Sequence, residues 1–225
     1  MEHLLDNPAW SALTSNNKNL SNGNAHARYF DKEVSPIVGL IENTEENLLE
    51  LYNLIPDDSP KLFVSKDEMQ IPQPWEVLNY IPGYQMVHET QTPLTESGLA
   101  ISPLNEMHIP QMLALTKLTK PGPFATRTIE FGHYSGIFEA GQLAAMAGQR
   151  MHAYNYAEVS AVCTHPDHTG KGYARQLLIQ HINRILANGE IPFLHVRDDN
   201  DRAIKVYQRL GFVIRTRVNF YFIKK

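Results

Sequence analysis

One stretch of the chain carries residues spaced for chemistry: Val162-Cys163-Thr164-His165-Pro166-Asp167-His168-Thr169-Gly170-Lys171-Gly172-Tyr173-Ala174-Arg175. An apolar strand end runs into a turn with two glycines, and the turn opens onto a helix. Such a turn aims several unpaired backbone N–H groups at one point, and the positive end of the helix dipole adds to them. The natural guest is a phosphate or diphosphate. Gly170 and Gly172 let an anion approach the backbone without a Cβ in the way. Two phosphate motifs fail on spacing. A Walker loop needs glycine five residues before its Gly-Lys pair and Ser or Thr after it, and those places hold His165 and Gly172. The dinucleotide fingerprint lacks its third glycine, where Arg175 stands, and its strand lies in a meander instead of a βαβ unit. Lys171 and Arg175 read either as helpers for a phosphate or as solvated charges. His165 and His168 flank a proline turn with no third ligand at useful spacing, so no metal is expected.

The elements that must position this turn read as follows. Residues 14–27 are dense in Asn, Ser and Gly and predict a surface loop. Asn43 with Glu46 resembles a capping box, opening a helix through Leu48, Leu51, Tyr52 and Ile55 that Pro56 stops. Short strands are predicted at 61–65 and 84–89, and no chemistry is visible in these first hundred residues. A second unit begins near Gly98, with a strand at 99–102 and a helix at 106–119. An antiparallel meander follows at 133–139, 142–151 and 156–164. A helix at 170–187 buries Ala174, Leu177, Leu178, His181, Ile182 and Ile185 on one face. Then come a strand at 193–196, a helix at 200–210 and a strand at 218–223. The expected class is α/β (α+β), a mixed central sheet flanked by helices, with residues 1–97 and 98–225 as two regions. The first region reads as a worn half-copy of the second.

Residues 169–174, Thr169-Gly170-Lys171-Gly172-Tyr173-Ala174, resemble the acetyl-coenzyme A signature of the Gcn5-related N-acetyltransferases: Gln or Arg, two residues, Gly, one residue, Gly or Ala. Thr169 departs from the usual Gln or Arg. The surroundings match as well: the strand before the turn ends near Pro166, and Asn200, Tyr207 and the pair Gly211-Phe212 follow downstream. The resemblance covers about residues 98–225 and is nearest the FR47-like branch.

This resemblance implies the fold of that family and an N-acetyltransferase moving an acetyl group from acetyl-CoA, as co-substrate, to a primary amine by direct attack. Val162, Cys163, Thr164, Thr169, Gly170, Lys171, Gly172, Tyr173, Ala174 and Asn200 would contact the coenzyme. Glu158, eleven residues before Thr169, would act as base, with His195 in reserve or a water between. In an unbroken strand Glu158 shares a face with Ser160, Val162 and Thr164, opposite Val159, Ala161 and Cys163. Tyr207 would serve the departing thiolate. The plainer readings are a solvated or ion-paired Glu158, a core His195, a core Tyr207, and an Asn200 that only caps its helix. Phe124, Arg127 and Thr128 lie where the family builds its acceptor pocket. A small-molecule or amino-acid-like amine is the expected acceptor. A non-catalytic acyl-CoA-binding module and a structural scaffold are the rival readings.

Composition agrees. The 225 residues are 43% apolar and 20% charged, ordinary for a globular protein, and the net charge of −4 gives no basic field for nucleic acid or an anionic membrane. The first residues show no cationic, then apolar, leader pattern, so a cytoplasmic chain without membrane partners is expected, with a homodimer as the form of assembly. A single cysteine, Cys163, can form no internal disulfide. It is not needed as a nucleophile when the amine itself attacks.

Overall fold

The computed structural model describes residues 3–96 and 98–225. In chain order the elements are α1 (Pro8–Thr14), β1 (Ser21–Gly23), β2 (Ala27–Phe30), β3 (Ile37–Leu40), α2 (Glu45–Leu54), β4 (Lys61–Ser65), β5 (Glu76–His88), β6 (Ser102–Pro103), α3 (Ile109–Thr119), β7 (Ser135–Glu139), β8 (Gln142–Ala153), β9 (Tyr156–Thr164), α4 (Tyr173–Ala187), β10 (Ile191–Arg197), α5 (Asp201–Arg209) and β11 (Phe212–Lys224). All the strands belong to one sheet, in the order β1-β2-β3-β4-β11-β5-β10-β9-β8-β7-β6.

A single pattern occurs twice. β7, β8 and β9 form an antiparallel meander, α4 follows, and β10 returns parallel to β9. β1, β2 and β3 form another, α2 follows, and β4 returns parallel to β3. The final strand of each copy inserts into the other: β5 lies between β10 and β11, and β11 lies between β4 and β5. The sheet therefore joins strands from both regions of the chain. In the first copy a loop, 66–75, stands where the second has α5, and Trp75 plugs it, its buried indole N–H donating to Leu48 O at 2.8 Å.

Apolar periodicity explains which faces are covered. Leu178, Ile182 and Ile185 of α4 are buried against Val159 and Leu194, and Leu177 against Ile137 and Ala144, while α1 and α3 cover the opposite face with Leu13, Met112 and Leu115. Each such side chain contributes about 1.5–3 kcal/mol by leaving water. His181 is buried on the covered face of α4, where desolvation brings its imidazole down to about 3, so it is a neutral core residue.

Several boundaries differ from the sequence reading for local reasons. Thr44, not Asn43, caps α2: its Oγ1 accepts from Asn47 N at 3.2 Å, while the Asn43 amide turns to Ser65 Oγ at 3.3 Å. The predicted loop 14–27 contains β1, and α1, capped by Asn7 with Pro8 in its first turn, precedes it. β5 starts at Glu76 instead of residue 84, and the glycine inside it is a close-approach position. A Cβ on Gly83 would lie 2.6 Å from Val196 O and from the Phe220 ring. The strand predicted at 99–102 shrinks to Ser102–Pro103, and β11 begins at Phe212, six residues early.

Strand exchange makes a prediction. A fragment of residues 98–225 exposes the β10 and β11 edges that β5 covers, so it should aggregate and show no cooperative unfolding by circular dichroism. Adding a 1–97 fragment should restore a transition. A cooperative transition from 98–225 alone would contradict this.

Candidate active site

β9 and β10 pair at Tyr156–Ile191, Ala157–Pro192 and Glu158–Phe193, and then they part. From Val159 onward the β10-facing edge of β9 has no ladder partner among the described residues. The other edge is interrupted too. Between the pairs Ser160–Gly148 and Cys163–Met146, β9 carries one residue more than β8, and Ala161 takes a positive φ of 54°. This bulge shifts the alternation. Val159 and Val162 both pack with the α4 and α5 cluster, whereas Ala161 and Cys163 face the opposite core, which corrects the strict alternation expected for an unbroken strand.

β9 then enters the glycine turn. His165 Nδ1 accepts from Asp167 N at 3.2 Å, and the Thr169 hydroxyl donates back to Pro166 O at 3.0 Å, which tightens the bend. Gly170 and Gly172 have φ of 82° and 80°, and Gly172 caps α4 without any side-chain acceptor. The N–H groups of Gly170, Lys171, Gly172, Tyr173, Ala174 and Arg175 meet no protein acceptor among the described residues. A run of uncapped donors at a helix start is an anion-binding arrangement. Beyond the adjoining residues, no protein atom among the described residues lies within 4 Å of a Cβ built on either glycine, so what these positions require is the left-handed backbone.

Side chains around the turn are partly committed. The Tyr173 ring is buried and its hydroxyl donates to the Glu139 carboxylate. Lys171 Nζ stands 3.7 Å from Glu139 and 3.1 Å from His168 Nδ1. The Tyr173 hydrogen bond and the Lys171 charge hold Glu139 below the usual carboxylate range. What Tyr173 and Lys171 have left for a ligand is chiefly their backbone N–H. Burial pushes the Cys163 thiol up to about 11, which makes it a packing residue. Among the described residues no group of three His, Cys, Asp or Glu side chains could hold a metal ion.

Tyr207, on α5, packs into the cluster that contains Val159, Val162 and Leu194, beside the gap between β9 and β10. Its ring lies 6.1 Å from that of Phe212, and its hydroxyl has no hydrogen-bond partner among the described residues. Burial pushes the phenol up to about 12, so it is a protonated donor at neutral pH. Asn200 Oδ1 accepts from Ala203 N at 3.2 Å, the cap expected of the plainer reading, which leaves its amide N–H groups uncommitted.

Glu158 sits at the fork itself and is 0% exposed. Arg150 grips it with Nε–Oε2 of 2.8 Å and Nη2–Oε1 of 2.6 Å, Met151 N donates to Oε2 at 3.2 Å, and His195 Nδ1 lies 2.7 Å from Oε1. Burial alone would push this carboxyl up. The Arg150 charge and its two hydrogen bonds, then His195, prevail and bring it down to about 2. Glu158 is therefore an anion with all its acceptor sites filled. The His195 side chain is only 2% exposed, with the Phe193 and Phe220 rings edge-on to it. Arg150 and Gln85, which complete this cluster, escape a motif search. Their one signal is a lone charge or amide inside an apolar strand run.

With this geometry in view, the comparisons are consistent. Residues 134–221 match the family model described as FR47-like protein. A crystal structure described as a GNAT-family acetyltransferase from Novosphingobium aromaticivorans superposes with a TM-score of 0.92 at 33% identity, covering 100% of this chain and 99% of that one. N-alpha-acetyltransferase RimI of Mycobacterium tuberculosis is 34% identical over 84 residues, 36% of this chain; the match spans about half, 51%, of that relative. A Gcn5-related N-acetyltransferase from Kribbella flavida shares the fold at 14% identity, with a TM-score of 0.61 and coverage of 96% and 95%. The chain belongs to the GNAT superfamily of acetyltransferases, in its FR47-like branch.

Arg150→Met should strand the Glu158 carboxylate and cost about 3–5 kcal/mol, the usual penalty for an unpaired buried charge. Because the folded carboxyl titrates below its ordinary 4.5, at about 2, the pair's contribution is complete above that ordinary value and is lost as pH falls from there toward 2. Urea unfolding of both proteins between pH 3 and 7 checks both statements. Equal stabilities at pH 7 would refute them.

Proposed function

We propose that the protein transfers the acetyl group of acetyl-CoA to a primary amine, with a small or amino-acid-like molecule as acceptor. The observation that carries this reading is the run of unpaired N–H groups at residues 170–175, opening onto the gap between β9 and β10 beside Tyr207. The diphosphate would bind the backbone N–H groups of Gly170, Lys171, Gly172, Tyr173 and Ala174, with the Asn200 amide as a further donor; the Thr169 N–H, expected among them, is instead given to Pro166 O at 3.3 Å. The acyl arm would run along the free edge of β9 at Val162, Cys163 and Thr164, adding to the sheet the partner that β10 no longer supplies. The name of the mycobacterial relative, an N-alpha-acetyltransferase, favours an α-amine among primary amines. The single unpaired cysteine fits a reducing, cytoplasmic setting.

In the reaction, the neutral amine nitrogen attacks the thioester carbon, the C–N bond forms, the C–S bond breaks, and CoA leaves as the thiolate. Backbone N–H groups on the free edge of β9 would hold the developing oxyanion. Tyr207, kept protonated at about 12, suits hydrogen bonding to a thiolate whose conjugate acid ionises near about 8.5. Outright proton loss to that thiolate would be uphill. For the ammonium proton, Glu158 and His195 would act as a unit. The carboxylate is too weak a base to take the proton itself, but it fixes Nδ1–H and favours the imidazolium that forms when Nε2 accepts.

The filled acceptor sites of Glu158 favour one rival, a module that binds acyl-CoA without turnover. Thiol release from acetyl-CoA across a panel of primary amines separates the two. An enzyme releases thiol with at least one amine, and Tyr207→Phe and His195→Ala should each lower kcat by about 100–10,000-fold, the range for a single acid, base or oxyanion donor. Stabilisation by CoA without release with any amine would favour the module. At CoA a hundredfold above its Kd, melting should reflect about 2.7 kcal/mol of added stability, and Gly172→Val should abolish the shift. An unmoved melting curve at millimolar CoA would overturn both readings.

A further inference from the structure

β5 carries Gln85 from the first half of the chain into the polar cluster at the fork. Gln85 is fully buried and lies opposite His195 in the β5–β10 register. Its amide nitrogen stands 2.9 Å from Leu5 O and 3.2 Å from His195 Nε2, and its amide oxygen accepts from Arg215 Nη1 at 3.0 Å. A guanidinium only donates and a carbonyl only accepts, so the orientation of this amide is settled: oxygen toward Arg215, nitrogen toward Leu5 and His195. On the far side of the ring, Nδ1 lies 2.7 Å from Oε1 of the ionised Glu158, which also only accepts. One neutral tautomer satisfies both neighbours, with the hydrogen on Nδ1 and the lone pair on Nε2 facing the Gln85 N–H.

We propose that Gln85 is a positioning residue for the acetyl transfer inferred above: it holds the His195 ring with Nδ1–H aligned on Glu158 and Nε2 kept as an acceptor, until the proton of the acceptor amine displaces its hydrogen bond. Protonating Nε2 sets N–H against N–H. Gln85 cannot turn its oxygen to the ring without also setting its N–H groups against Arg215 and its oxygen against Leu5 O. The lock is anchored outside the sheet, because Arg215 of β11 pairs with Asp6 in the turn before α1, and Leu5 belongs to the same turn. The charged and titratable groups around His195 are thus Glu158 on β9 with Arg150 of β8 and the buried Tyr134 phenol behind it, and Arg215 on β11 with Asp6 behind it, which Lys66 also approaches at 3.4 Å from the exposed side.

The test reads the ring directly. In protein labelled with ¹⁵N-histidine, His195 should show a protonated Nδ1 and an unprotonated Nε2 at neutral pH. Gln85→Glu keeps an acceptor for Arg215 and turns a carboxylate on Nε2. It should raise the His195 titration midpoint by about one pH unit or more, as an adjacent carboxylate does, and move the acid limb of kcat/KM with it. Arg215→Met, which frees the Gln85 amide from a partly exposed position, should raise the midpoint in the same direction and carries the test if Gln85→Glu does not fold. An Nε2–H signature in the unmodified protein, or an unchanged midpoint in the folded variants, overturns the lock whatever the activity. The predicted signature and shifts in a protein that releases thiol with no amine would overturn the acetyl-transfer reading instead.

Discussion

Parallel strands that part leave backbone groups without partners, and the fold here depends on such a parting. β9 and β10 stay together for three pairs and then diverge, β9 running on through a bulge at Ala161 and β10 toward α5. The N–H and C=O groups on the free edge of β9 need a partner from outside the sheet, and so do the uncapped donors at the start of α4. The glycine turn joins the two, so one extended molecule with a diphosphate at one end and amides along its length could satisfy both. The architecture is built around that gap: α4 buries its apolar face below it, α5 brings Tyr207 to its side, and the Arg150–Glu158–His195 cluster pins the fork where pairing ends.

The doubled topology ties the first half to the second through the interleaved strands β5 and β11. In the second copy the meander, helix and return strand carry the gap. In the first, the same elements lack the features that make it useful. Its helix is capped by Thr44, whose hydroxyl takes the Asn47 N–H, and starts with Glu45 and Glu46, which repel an anion. What the first half supplies instead is β5, placed so that Gln85 meets His195, and a terminal turn whose Leu5 carbonyl and Asp6 carboxylate steady that contact through Gln85 and Arg215.

Much of the second half was legible because its signals are local. Turn glycines, the Pro166 stop, the helical stripe from Leu177 to Ile185 and the meander each follow from a few neighbouring residues, and β9 lies over 156–164 as its pattern predicts. The anion turn could be recognised for the same reason. Long-range features were not legible. That β5 would sit between β10 and β11 depends on pairing across more than a hundred residues, and its outer half, Glu76 to Pro82, is too exposed to show a buried face. The bulge at Ala161 left no mark in the alternation of small and apolar residues. Glu158 could be singled out by position, but the four donors that make it a saturated anion come from β8 and β10.

The central claim is that the unpaired donors after β9 form the coenzyme cradle. Backbone amide NMR during titration with CoA tests it most directly. The account predicts that the largest ¹H–¹⁵N shifts fall on residues 170–175, continue along 162–164 and reach the neighbours of Tyr207. Saturable shifts confined to another surface, with the amides of Gly170 to Arg175 unmoved, would contradict it.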